Sequence, residues 1–367
     1  MTDYIQGIKK TGFILENEIV TLLKENSWNI ISNKYYEDDI IESIREIDIL
    51  AYKVSIREDI YYYTTLIISC KKSDDNSWVL VSRDIDFDEP NSNWWPLHAW
   101  TNDVVLKEVI SHEIKGRDYY ELMYDDKQIS VMSHPNADIF AFQEMSKKNG
   151  RPQNDKKIFS SITSLMKAQS YEIGALKTRK KHACIYQFNL VSVIDSELIR
   201  LHLNDNEIKQ LNTNSEEMVA RYIIKKQEQF FRIRFVKASS FGEYIKDYNM
   251  LHKANVELFQ KRRDNWFEDA IKDSSKVSIL KAEFANKIGR KIFLASNYAV
   301  SRQDVMDYME VVWETGKNKV RIFITEDESI TKNLNSNEDL FVETKLILLD
   351  VFRYEGKFYF STDSLPF

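Results

Sequence analysis

The sequence predicts a mixed α/β protein, and three patterns indicate this fold class. Apolar residues recur at helical spacing over residues 12–25, so this segment is predicted to be an amphipathic helix. Apolar and polar residues alternate over 46–52, which is typical of a strand. Residues 62–70 are rich in Tyr, Thr, Leu and Ile, which favour strands. The chain is therefore expected to begin with a helix followed by strands.

The other elements are predicted from the same two periodicities. A short strand is expected at 28–31, ahead of the strand at 46–52, and a second helix over 155–173. The segment 78–81 is expected to extend the first sheet, and 84–150 is interpreted as irregular. Further strands are predicted at 184–194, 198–203, 232–236, 291–294, 320–324 and 345–352, and further helices at 103–114, 241–263 and 302–315.

Length and composition predict two domains. The chain has 367 residues, of which 43% are hydrophobic, with only 9 Gly and 5 Pro. This composition is unlike that of disordered or linker-rich chains. We predict a first domain over 1–270, with an insertion over about 74–153, and a smaller αβ domain over 271–367 that serves as a homodimer or partner-protein contact.

Charge and cysteine content exclude several classes of protein. The net charge of −6 is not that of a basic nucleic-acid coat, although a local basic groove remains compatible with it. Cys70 and Cys184 are too few for a disulfide framework, and no zinc-binding spacing occurs. The first ten residues lack the apolar region of a signal peptide, and no apolar run is long enough to span a bilayer. We therefore expect a cytoplasmic protein with no membrane partner.

Common catalytic motifs are absent from the sequence. The six histidines do not pair at a metal-ligand spacing, and there is no P-loop, G-x-G-x-x-G or G-x-S-x-G motif. NTPase, dehydrogenase and serine hydrolase functions are therefore poorly supported.

Three charged residues in the first 75 positions fit a different chemistry. Glu16 lies on the opening helix, Asp48 on the next long strand, and Lys71 at the end of the strand after that. Carboxylate oxygens are suited to hold Mg²⁺ against a phosphate, and a lysine can orient water and offset developing charge. These residue types are the ones that a metal-dependent phosphodiesterase needs.

The same segments resemble the PD-(D/E)xK, or restriction-endonuclease-like, nuclease superfamily. The resembling segments are GFILE (12–16), REIDILA (45–51) and IISCKKS (67–73). The resemblance implies an αβββαβ core with a large insertion, in which 155–173 is the second helix and 184–194 the strand that follows. It also implies hydrolysis of DNA with Mg²⁺ or Mn²⁺, in restriction, phage defence or DNA repair.

The resemblance also assigns roles to individual residues. It implies that Asp48 binds the metal, that Lys71 is the catalytic lysine, and that Glu16 completes or supports the metal site. The backbone carbonyl of Cys70 is implied as a further ligand. Residues two apart on a helix point in different directions, so Glu16 and Glu18 do not both face the metal. The resemblance favours Glu16, which follows Leu15 in the family-like Gly-x-x-Leu-Glu pattern.

One position departs from the family pattern: Ser69 stands where the family has Asp or Glu. A hydroxyl is a weaker Mg²⁺ ligand than a carboxylate, and three interpretations follow. Another acid substitutes, either Glu46, which shares a face with Asp48, or Glu16, with Glu172 as a weaker candidate. Alternatively, two carboxylates and a carbonyl bind the metal weakly. In the third interpretation, the protein is a degenerate nuclease-fold module that binds DNA or protein without cleavage.

Basic residues are expected to contact the DNA phosphates. Lys72 follows the predicted catalytic lysine, and a basic run follows the second helix. If this run lies beside the active edge of the sheet, its charges would attract the DNA backbone and make binding salt-dependent. The predicted DNA-binding residues are Lys72, Lys177, Arg179, Lys180 and Lys181.

Overall fold

The computed structural model describes residues 4–38, 43–204 and 207–363. The chain divides into two compact units, Met1–Phe259 and Gln260–Phe367. Helices and several sheets occur together, and the second unit is the smaller. The predicted mixed α/β class with a smaller C-terminal domain is therefore confirmed.

The first unit contains most of the strands. Its helices are α1 (Tyr4–Lys9), α2 (Phe13–Glu25), α3 (Val104–Glu108), α4 (Gly116–Glu121), α5 (Lys156–Arg179) and α6 (Phe241–Phe267), which continues into the second unit. Its strands are β1 (Asn29–Asp38), β2 (Ser43–Arg57), β3 (Ile60–Lys72), β4 (Asn76–Arg83), β5 (Ala99–Thr101), β6 (Asp138–Ser146), β7 (Cys184–Asp195), β8 (Leu198–Asn204), β9 (Glu207–Thr213), β10 (Ser215–Ile224) and β11 (Gln227–Lys237).

The first sheet has the strand order β1-β2-β3-β7-β11-β10, and β5 pairs with β7. Strands β1, β2 and β3 form an antiparallel meander. Strand β7 lies parallel to β3, from Tyr61↔Cys184 to Lys72↔Asp195. A parallel neighbour requires a crossover connection, and α5 lies in the chain segment that joins these two strands. The first sheet and its crossover therefore follow the order helix, three antiparallel strands, helix, parallel strand.

The helices on this sheet form where the sequence pattern predicts them. Leu15, Ile19 and Leu23 are the buried residues of α2, at a spacing of one helical turn. Helix α5 buries Ile158 and Ile162 at the same spacing, and both belong to the main hydrophobic core. The amphipathic pattern determines both helices because one face of each must be removed from water.

A second sheet has the order β6-β4-β8-β9. The prediction that 78–81 extends the first sheet is therefore wrong. Strand β4 follows β3 and β8 follows β7, and these two continuations again pair in parallel. The two chain segments thus leave the first sheet together. Local alternation of residues is the same in either sheet, so the sequence pattern does not reveal the change.

The second unit combines helices with a small sheet of order β12-β13-β14. Its further elements are α7 (Ser274–Ala295), α8 (Arg302–Tyr308), β12 (Glu310–Glu314), β13 (Lys319–Phe323), α9 (Glu328–Ser336), α10 (Glu338–Phe352) and β14 (Phe358–Ser361).

Three predictions for this unit are wrong in whole or in part. The predicted strand at 291–294 is the end of α7, and the predicted strand at 345–352 is part of α10. The predicted helix at 302–315 ends at Tyr308 and is followed by β12. Short apolar runs suit a buried helix as well as a strand, so periodicity alone does not separate the two.

None of the helices in the described part of the chain combines the length and the apolar character needed to cross a membrane.

Candidate active site

Asp48 lies where β2 and β3 separate. The pair Ile49↔Ile68 is at one end of the β2–β3 ladder, and Asp48 lies just outside this end. The Asp48 Oδ2 atom accepts hydrogen bonds from the backbone N–H of Cys70 at 2.7 Å and from Ser69 Oγ at 3.3 Å. Because the strands separate here, the Cys70 N–H donates to a carboxylate and not to a backbone carbonyl of a paired strand.

Lys71 completes the contacts of this carboxylate. Its Nζ atom donates to Asp48 Oδ2 at 3.2 Å, and the two side chains are 25% and 20% exposed. This partial exposure matters because the pair remains accessible to a ligand from solvent. The predicted association of Asp48 with Lys71 is thus present in the structure.

Glu16 reaches the same region from α2. Burial raises the pKa of its carboxyl group, the charge of Asp48 raises it further, Lys71 opposes the shift, and Glu46 adds a smaller upward effect. A Cβ atom built on Gly12 would lie 3.4 Å from Glu16 Oε1 and 3.9 Å from the Cys70 carbonyl oxygen. The Glu16 carboxylate and the Cys70 carbonyl therefore face a common space. Glu18 is exposed.

Glu46 is exposed on β2 and accepts a hydrogen bond from Asn33 Nδ2 at 2.7 Å. It lines the same cleft as Asp48 and Lys71. We call Glu16, Glu46, Asp48 and Lys71 the open acidic cluster. Its three carboxylates face one ammonium group, so the cluster carries an excess of negative charge.

A cleft of about 560 Å³ is lined by Glu46, Asp48 and Lys71 of this cluster. One wall is the end of the β1–β2 pair, where Tyr36 and Arg45 face each other. The opposite wall is α5, which contributes Phe159, Thr163 and Lys167. The cleft thus combines cationic and aromatic side chains with the carboxylates at its base. Sequence analysis missed the α5 residues, although 160, 163, 164 and 167 share a helical face.

Ser69 does not supply a further carboxylate ligand for a metal ion. It is buried and donates to Asp48. Among residues 4–38, 43–204 and 207–363, no group of three or more His, Cys, Asp or Glu side chains is arranged to hold a metal ion. The candidate donors are therefore two carboxylates and a backbone carbonyl, with Glu46 close by.

Glu172 is held by other charges. Its carboxylate oxygens lie 2.5 Å from Lys34 Nζ and 2.7 Å from Arg179 Nη2. These two cations neutralise it, so the geometry gives no support to this weaker candidate. Arg179 itself is engaged in this ion pair.

The Cys70 thiol is a poor nucleophile in this setting. Burial raises its pKa well above the usual value, and the charges of Asp48 and Glu16 raise it further. A thiol that stays protonated does not attack an electrophile efficiently. Cys70 therefore contributes to the site through its backbone N–H and carbonyl groups.

The expectation that the basic run 177–181 lies beside the active edge is wrong. Lys180 Nζ donates to the Tyr63 hydroxyl at 3.2 Å and lies over the Tyr63 ring. Tyr63 and Lys71 are separated by roughly 26 Å along β3. The start of α5, not its end, lies near Lys71, since Lys157 Nζ donates to the Lys72 carbonyl at 2.9 Å.

Lys72 lies next to the site, but its ammonium has local partners. Its Nζ atom donates to the Lys9 carbonyl at 2.9 Å and lies 3.4 Å from Asp74 and 3.6 Å from Asp195. Its contact with DNA stays a prediction, as does that of Lys177, Arg179, Lys180 and Lys181.

No protein-family model matches this sequence, no curated protein is significantly similar to it, and no solved structure matches its fold at a significant level.

Proposed function

We propose that this protein is a metal-dependent nuclease that hydrolyses DNA phosphodiester bonds. The observation that carries the proposal is the Asp48 carboxylate, held by the Cys70 N–H and the Lys71 ammonium at the point where two strands separate. Helix α2 adds a second carboxylate, Glu16, whose pKa responds to Asp48 and Lys71. Restriction, phage defence and DNA repair are the roles that the family resemblance suggests.

The order of the elements supports a restriction-endonuclease-like core. Helix α2, the β1-β2-β3 meander, α5 and the parallel strand β7 occur in the order that the αβββαβ arrangement requires. The long segment between β3 and α5 corresponds to the insertion in this proposal. Because folds host many functions, this order adds to the site argument and does not replace it.

The chemistry of the donors fits a hard divalent cation. Asp48, Glu16 and the Cys70 carbonyl offer the oxygen ligands that Mg²⁺ and Mn²⁺ prefer. Burial raises the pKa of Glu16, and the charge of Asp48 raises it further against the opposing effect of Lys71, so a bound cation would favour the ionised carboxylate. A bound metal ion polarises the phosphate and lowers the pKa of bound water.

Side chains of the protein have the remaining roles in the proposed reaction. Lys71 offers an ammonium group to a phosphate oxygen or to the attacking water, and it offsets charge that develops during the reaction. Asp48 holds this ammonium in position through their 3.2 Å contact. Lys167 and Arg45 also line the cleft, and their charges offset those of its carboxylates and can attract a phosphate backbone.

A cleavage assay on supercoiled, linear and branched DNA with Mg²⁺ or Mn²⁺ tests the proposal. Asp48→Asn and Lys71→Ala should each reduce the rate at least about 100-fold, as loss of a group that stabilises the transition state does. Glu18→Gln is the matched control, because Glu18 is an exposed acid on the same helix as Glu16. Equal cleavage by all variants would identify a contaminating nuclease and reject the proposal.

A non-catalytic DNA-binding module is the second candidate, and Ser69 favours it. This residue supplies a hydrogen bond to Asp48 where the family has an acidic ligand. In this case the protein should retard DNA in a gel-shift assay but leave it uncut with either metal. Retardation should then persist in Asp48→Asn.

A further inference from the structure

A small cavity, lined mostly by buried residues, lies where β7 and β11 diverge. The two strands pair from Leu190↔Ile233 onwards, and before this point Phe188 N donates to the carbonyl of His98 at 2.9 Å. Within this cavity, the centre of a water molecule can occupy a volume of about 20 Å³. This corresponds to roughly one or two waters.

Two arginines and one glutamate line the cavity, and we call Glu217, Arg232 and Arg234 the buried arginine cluster. All three are more than nine-tenths buried. Arg232 forms two hydrogen bonds to Glu217 and Arg234 forms one. One carboxylate therefore faces two guanidinium groups. The Ser133 and Val131 carbonyls accept further hydrogen bonds from Arg232 and Arg234, but these neutral groups leave the cluster with a net positive charge. Such a charge is costly unless a counter-ion or acceptor accompanies it.

Two polar groups at the cavity lack hydrogen-bond partners among the residues that the structure describes. Gln169 is completely buried, and neither its Nε2 nor its Oε1 atom has a partner. The Nη1 atom of Arg232 also has none. Buried donors and acceptors are nearly always satisfied by protein or by an ordered small molecule. The cavity that both side chains line is the place for that molecule.

The other titratable groups of the cavity do not balance the charge. Burial lowers the pKa of His98 to about 4, so the ring is neutral at pH 7, and its Nε2–H donates to the Phe230 carbonyl at 2.9 Å. Burial raises the pKa of Tyr120 and of Tyr248, so both hydroxyls stay protonated. The excess positive charge of the two arginines is therefore not offset by these side chains.

We propose that this cavity binds a single small monovalent anion of the size of chloride, with Arg232 Nη1 and Gln169 Nε2 as donors. The charge of the arginine cluster supplies the attraction, and the two unsatisfied donors supply the hydrogen bonds. The small volume favours a monatomic anion, and none of the residues that line this cavity lines the cleft over Asp48.

A crystal grown in sodium bromide tests the identity of the occupant. Bromide scatters anomalously, so a peak between Arg232 and Gln169 is expected. A well-ordered water with no anomalous signal at this position would overturn the proposal, and so would an empty cavity.

Thermal unfolding in solution provides a second measurement. Sodium chloride, relative to sodium gluconate at equal concentration, should raise the melting temperature of the wild type by roughly 2–4 °C at about five times the Kd. Gln169→Glu places a carboxylate at the cavity, so this variant should melt higher in gluconate and lose the chloride effect. Gln227→Glu, an exposed change of equal charge on β11, should keep the chloride effect. The same chloride response in all three proteins would be a general salt effect and would contradict the site.

Discussion

The first unit contains two charged clusters whose net charges have opposite signs and whose burial differs. The open acidic cluster has three carboxylates and one ammonium group, and Asp48 and Lys71 keep about a fifth to a quarter of their side-chain surface exposed. The buried arginine cluster has two guanidinium groups and one carboxylate, with less than a tenth of each residue exposed. Solvent and salt screen the first imbalance but not the second. Under the two proposals, the first imbalance attracts an exchangeable cation and the second holds a buried anion.

Removing the single acid of the buried cluster should have the largest effect on stability. Glu217→Leu leaves two buried guanidinium groups unpaired, so the free energy of unfolding in urea should fall by about 3–5 kcal/mol. Glu46→Leu, the same change in the open cluster, should cost less than about 1 kcal/mol because Glu46 is exposed. Equal losses in both variants would mean that burial does not distinguish the clusters.

Placing an acid at position 69 should make the open cluster depend on metal. Ser69→Glu buries a carboxylate beside Asp48, so without divalent cations the free energy of unfolding should fall by roughly 2–3 kcal/mol. Mg²⁺ or Mn²⁺ should reverse much of this loss, and the variant should need less metal for cleavage. The control Ser69→Ala loses one hydrogen bond, or about 1 kcal/mol, and should show no such reversal. A variant indifferent to metal would remove position 69 from the candidate site.

Acidification should weaken the buried region. The pKa of His98 is about 4 in the folded chain and near 6.5 when unfolded, so the unfolded chain binds more protons between these values. The free energy of unfolding should therefore fall as the pH drops from 6.5 towards 4. His98→Asn should make this slope shallower, although His252, with a pKa also lowered to about 4 by burial, keeps part of it.

The smallest effect is expected from Glu16. Its raised pKa means that the folded chain holds this proton more tightly, so stability falls as the pH rises through the folded pKa. Glu16→Gln should consequently increase the melting temperature slightly at pH 7, and the gain should vanish at a pH below the ordinary carboxyl range. Mg²⁺ should stabilise the wild type more than this variant. A variant less stable than the wild type at pH 7 would show that Glu16 is not under electrostatic strain.

The local pattern predicted the parts of the site that depend on one element each. Residues 12–16 form the start of α2 with Glu16 half-buried, and the alternation on β2 brings Glu46 and Asp48 to one cleft. The pattern failed where two elements had to be oriented relative to each other. The basic run 177–181 follows α5 as predicted, but the antiparallel course of α5 against β3 carries it to the far end of the strand.

The sequence by itself determined the amphipathic helices on the first sheet, the strands β1, β2, β3, β7 and β11, and the acidic character of the open cluster, because these follow from residue periodicity over a few neighbouring positions. Tertiary structure decided which sheet β4 joins, that 345–352 forms a helix, and that Arg232 and Arg234 share one carboxylate in a cavity closed by Gln169. These outcomes depend on burial between segments far apart in the chain. Burial sets the cost of an unpaired charge, and no local pattern records it.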